Sequence, residues 1–226
     1  MKRNNIFKLI HKGLRHMLYD IAIQLQKTDF NNQEEAETIL EKISTVMDLF
    51  DKHAFSEDNF VLTALEKREP AVTNIFEHEH VLDHQLSDNM RSLLKSFKDA
   101  ATDEEKINSG SAISIAFVEF MVFNLKHMAK EEDVLNKLLW KYFTDEQLGD
   151  IRKDIVAHIP NDYLIKNNRW MMRSISNSDA ATWLIDVKNN APGFVFENMM
   201  QLAANELGAE RWSKVQESIT EGALLA

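Results

Sequence analysis

Residues 46–65 read VMDLFDKHAFSEDNFVLTAL, and in them Val46, Leu49, Phe50, Phe60, Val61 and Ala64 recur at the three- and four-residue steps of a buried helix face. His53 and Glu57 share that face. Four residues along a helix is an angular offset of about 40°, so the imidazole and the carboxylate project in nearly one direction. The same unit returns as His127 with Glu131, set among Ala116, Phe120, Phe123, Val134 and Leu138. Each pair points toward an apolar interior, where an ionised carboxylate costs several kcal/mol unless charge or hydrogen bonds compensate it. A shared cation would satisfy both pairs at once.

Outward from these pairs the apolar spacing predicts four long helices, near residues 5–28, 34–68, 71–98 and 112–142, with 99–111 a loop or a weak short helix. Pro70 closes the second of them. Only six glycines and three prolines occur, and Asn-Gly and Asp-Gly hairpin signals are absent. The fold class expected is all-α: an up-down four-helix bundle over 1–144, with its ligands converging inside. Thr144, answered by Gln147, opens a second region, 145–226, of shorter helices near 145–157, 161–175, 178–189, 193–207 and 208–220. This extension is expected to pack on the bundle, with Trp140, Trp170, Trp183 and Trp212 between the two parts.

The chain has no cysteine, which excludes thiolate zinc sites and iron–sulfur clusters and leaves nitrogen and oxygen as metal donors. Its formal net charge is -10, with the basic residues scattered, which disfavours nucleic acid as a partner. The N-terminal apolar stretch is broken by Lys8, His11 and Lys12, and no uninterrupted apolar run approaches the roughly eighteen residues of a membrane span. A cytoplasmic protein without a membrane partner is the expectation.

Bundle helices one and three would complete the donor set, and His11 is the candidate on the first. On the third, the apolar stripe centres near Glu79, with Asp83 close by and His80 at its flank. Glu132 competes with Glu131 but lies about 140° from His127, so Glu131 is preferred. His16, His78 and His84 are expected on the solvent side, and His158 at a helix end beside free carbonyls.

The order His11, then HAFSE (53–57), then Glu79-His80, then HMAKEE (127–132) resembles the hemerythrin-like, HHE cation-binding family over roughly residues 8–145. The resemblance implies a four-helix bundle around a bridged di-iron centre, in proteins that carry or sense oxygen, respond to nitric oxide, or serve iron-centre repair and iron handling. It selects His80 on the third helix. His11, His53, His80 and His127 would then be terminal ligands, with Glu57 and Glu131 as bridges. Oxygen-carrying members have a second histidine four residues before the third-helix ligand; here that position is Phe76, which is closer to the iron-repair type. Glu79 and Asp83 would orient imidazoles through their free nitrogens.

The reading is thus a protein holding two non-heme iron ions, with manganese or zinc also suited to the donors, and engaging dioxygen or nitric oxide for sensing, storage, detoxification or iron supply. A di-metal oxidase or peroxidase is the rival enzyme reading. It ranks lower because the Glu-x-x-His order of ferritin-like enzymes occurs only as Glu77 to His80. A helical interaction module with structural histidines is the third, and the second region leaves room for a protein partner or a homo-oligomer.

Overall fold

The computed structural model describes residues 3–224, and every regular element among them is helical. By their contacts the residues form two units, one of Met1–Lys8 with Met17–Pro160 and one of Leu9–His16 with Asn161–Ala226. Helix α1 (Lys8–Leu25) contributes to both.

In the first unit the second half of α1 buries Met17, Leu18, Ile21 and Leu25. The second bundle helix is α2 (Gln33–Ser56), a π-helical turn (Glu57–Leu62) and α3 (Thr63–Glu66) in one run. Asn32 starts it by accepting from the backbone N–H groups of Glu34 and Glu35. The third, α4 (Pro70–Asp99), opens on a proline whose missing N–H costs nothing there. The fourth is α5 (Asp103–Lys130), a second π-helical turn (Glu131–Leu135) and α6 (Asn136–Tyr142).

Two differences from the sequence reading have local causes. Residues 103–111, expected as loop or weak helix, are the first turns of α5, because Thr102 and Glu105 form a reciprocal capping box. Gly110 lies in that stretch because a Cβ there would sit 2.3 Å from the Phe30 ring. The two units also divide after Pro160, not at Thr144. Helix α7 (Asp145–His158) buries Leu148 in one cluster with Phe7, Val61, Leu65, Phe76, Leu135 and Leu139. Further along the bundle Phe50 meets Phe120 edge-on at 5.2 Å. Chain order places the predicted ligands of α2, α4 and α5 between these two apolar layers.

The continuous helix Asp103–Tyr142 contains an 18-residue window apolar enough, by length and composition, to cross a membrane. Ser, Asn and Glu residues interrupt it, so it is not an unbroken apolar run. Its Phe117, Phe120, Asn124, His127 and Glu131 are buried, as in a bundle's core helix.

The second unit joins Leu9–His16 to α8 (Asn161–Ser174), α9 (Asn177–Asn190), α10 (Gly193–Glu206) and α11 (Ala209–Leu224). Its core holds Met172, Ile175, Ala180, Leu184, Ala203, Leu207 and Val215. Gly13 lets α1 approach closely, since a Cβ would lie 3.0 Å from the Met171 nitrogen. The tryptophans pack within the units: Trp140 donates to the Asn4 carbonyl in the first, and Trp183 and Trp212 lie on the core of the second.

Candidate metal centre

Within the first unit, Glu57, His80, His127 and Glu131 each offer a ligand atom, and these four atoms lie within 4.8 Å of one another. All four residues are buried, with Glu131 at 0% and Glu57 at 3% exposure. The i, i+4 geometry places His53 Nε2 3.2 Å from Glu57 Oε1, and His127 Nε2 3.2 Å from Glu131 Oε1. His80 comes across from α4: its Nε2 lies 3.4 Å from Glu57 Oε2 and 3.9 Å from Glu131 Oε1. Its ring meets that of His127 edge-on, centroids 4.9 Å apart.

Both carboxylates open a π-helical turn, Glu57 in Glu57–Leu62 and Glu131 in Glu131–Leu135. Such turns widen a helix by one residue and concentrate at functional sites. They also move the buried face onward. Past the ligands, the sequence reading put Phe60 and Ala64 inward on one helix and Val134 and Leu138 on the other. In the structure Val61 is buried as read, but Leu62 and Leu65, and Leu135 and Leu139, are also fully buried, while those four are half-buried. An α-helical period extrapolated through the turn falls one residue short.

The imidazoles are held from behind. His80 Nδ1 is 2.6 Å from Asp58 Oδ1, and His127 Nδ1 is 2.8 Å from Glu79 Oε2. Carboxylates accept only, so both Nδ1 atoms carry protons. That leaves the Nε2 atoms of His80 and His127, buried and without a hydrogen bond, facing carboxylate oxygens. Lone pairs would confront lone pairs unless a cation or a proton lies between them. The donor set therefore fits a metal ion.

Without metal, protons take that role. Burial opposes charge on His80, but Asp58 and Glu57 outweigh it and push its pKa up to about 10. For His127 burial is likewise outweighed, chiefly by Glu131, and the pKa rises to about 9. Burial also works against charge on Glu79, yet hydrogen bonds with Lys130 and His127 hold it below the usual carboxylate range. Burial pushes Asp83 up, although Asn124 donates to it at 2.6 Å.

Glu79 thus holds an imidazole, as the sequence suggested, whereas Asp83 holds an amide. Asp58, which anchors His80, carries no signal of that role in the sequence, because only the fold brings α4 opposite it. Glu132 is not among the clustered groups. Helix α1 places His11 at 0% exposure, in the Leu9–His16 stretch that belongs to the second unit.

Of the other histidines, His78 and His158 bond the carbonyls of Asn74 and Asp154 and are exposed. His84 is exposed beside Asp51. His16, expected in solvent, is instead half-buried in the second unit, 2.9 Å from Ser174 Oγ and edge-on to Trp170.

F-box/LRR-repeat protein 5 of Mus musculus is 25% identical over 153 residues, 68% of this chain and 21% of that protein. The Bos taurus protein of that name gives the same identity and coverage, and the Danio rerio one is 23% identical over 152 residues. The chain spans about a fifth of the length of the curated relatives it matches. The family described as Hemerythrin HHE cation binding domain matches residues 3–139, more than half the chain, and the protein belongs to that family.

Proposed function

We propose that the protein holds two non-heme iron ions and engages dioxygen or nitric oxide at the buried His/Glu site, for sensing, storage, detoxification or iron supply. One observation carries the two-ion reading: the oxygens of Glu57 face different imidazoles, Oε1 toward His53 and Oε2 toward His80, as a bridging carboxylate's do. In this reading Glu57 and Glu131 are shared. His80 and His127 would serve one ion and His53 the other, and His11 is a ligand by the family resemblance.

Iron so bound would supply electrons and open coordination positions for a diatomic ligand. The chain's own residues do the rest. Asp58 and Glu79 fix the two imidazoles by their Nδ1 protons, which leaves Nε2 as the atom that would bind an ion. Phe76 and Phe123 flank His127, each with its ring centroid 5.9 Å away, and keep water from that side. Phe76, where oxygen carriers have a further histidine, offers no donor.

The test is anaerobic loading with ferrous iron, followed by elemental analysis and absorption spectroscopy during exposure to oxygen or nitric oxide. About two irons per chain are expected, with a ligand-to-metal charge-transfer band on exposure. Protein that takes up no iron under these conditions would refute the reading.

A further inference from the structure

Resting on that reading, we propose that Lys130 and Glu79 form a positioning pair that sets the donor strength of His127, and with it the ferric-to-ferrous preference of the ion His127 would hold. Glu79 lies on α4 immediately before His80, but its carboxylate serves α5. One oxygen accepts from His127 Nδ1 at 2.8 Å, and the other pairs with the Lys130 ammonium. Lys130 is three residues beyond His127 on the same helix, and its Nζ also lies 4.8 Å from the centre of the Phe76 ring. The ring and the carboxylate together fix the cation in place. His127 is 6% exposed, whereas Glu79 and Lys130 have side-chain exposures of 24% and 37%. The pair therefore stands between solvent and a buried ligand.

A carboxylate on the far nitrogen of a metal-bound imidazole makes it a stronger donor, and stronger donors favour the ferric ion. A cation on that carboxylate withdraws part of the effect. The two members of the pair thus push the same imidazole in opposite directions. Loss of a purely structural contact would move both variants alike.

The experiment loads the full-length chain with iron and measures its reduction potential by spectroelectrochemistry. Lys130→Met is expected to shift the ferric-to-ferrous affinity ratio roughly tenfold toward ferric, a fall of about 59 mV for a one-electron couple. Glu79→Gln, which keeps an acceptor for His127 but removes the charge, is expected to shift it the other way. Lys130→Arg should leave it unchanged. Shifts of one sign in both charge variants, or none in either, overturn the proposal. A variant that holds no iron is read with zinc instead, through the NMR shift of the His127 Nδ1 proton. That proton should move downfield in Lys130→Met and upfield in Glu79→Gln, and movement in one direction for both overturns the proposal equally. A wild-type chain that takes up neither iron nor zinc defeats the metal reading itself, a result distinct from these.

Discussion

On α2 and α5 an imidazole and a carboxylate stand four residues apart and face inward together, each acid at the head of a π-helical turn. Helix α4 packs against both yet gives the cluster a single imidazole, His80. Its acids are lent across: Glu79 to His127 and Lys130, Asp83 to Asn124. In return, Asp58, in the π-helical turn that follows α2, holds His80. Paired helices thus carry donor and counter-charge in one local pattern, while α4 depends on its neighbours for the same balance. Local pairing makes a ligand readable along one helix; borrowed pairing makes it readable only in three dimensions.

The largest effect should follow from breaking the local pairs. Glu57→Gln and Glu131→Gln keep side-chain size but remove an anion that the cluster needs. Each is expected to abolish the stabilisation given by iron or manganese, about 2.7 kcal/mol at a free-ion concentration 100-fold above Kd. The metal-free protein should also lose stability near neutral pH, because each change removes the anion that faces protonated His80 or His127. On α4, Asp83→Asn should retain most of the metal-dependent rise in Tm. Thermal melts with and without the ion decide the matter, and a full rise in either glutamine variant would break the comparison.

The pH dependence follows from the same protons. In metal-free protein His80 and His127 have pKa values raised to about 10 and about 9 in the folded state, against an ordinary 6.5. Raised values mean that the folded state holds protons the unfolded chain has released. Their stabilisation is complete below about pH 6.5, declines above it and is gone beyond about pH 10. A bound ion displaces those protons, so holo protein should lose stability on acidification instead. Melting apo and loaded protein from pH 5 to 10 should give opposite slopes, and parallel profiles would mean that the imidazoles do not face the ion.

The bundle, its helix count and both His/Glu pairs were legible because each pair repeats its message within one helical turn. His80 was not. Periodicity on α4 favours Glu79, and only resemblance to a family chose the next residue, since the groups that orient it, Asp58 and the Glu57 carboxylate, come from another helix. The π turns were equally hidden, because nothing in EDNFVL or EEDVL breaks helical spacing. Deleting exposed Asn59 should return residues 57–62 to an ordinary α-helix while Val61, Leu62 and Leu65 keep facing the core. Metal affinity is then expected to fall about tenfold, as for changes that disturb ligand orientation, with little loss of apo stability. A deletion that unfolds the apo protein would show that the turn serves packing and not the ligands.

The smallest effect expected separates fold from site on α5 itself. Thr102 and Glu105 cap this helix far along the chain from His127, and their four-residue signal was present in a stretch whose polar composition read as loop. Polarity there reflects an exposed first turn, with Asp103, Glu104 and Glu105 near the positive end of the helix dipole. Thr102→Ala removes the oxygen that accepts from the Glu105 N–H and should cost about 1 kcal/mol of stability. The metal-induced rise in Tm should be unchanged, because the ligand turn of α5 lies several turns away and is held by Glu79 and the π segment. If this capping variant weakened metal binding as much as the Asn59 deletion does, α5 would act as one rigid lever, and the distinction between locally paired and borrowed ligands would lose its basis.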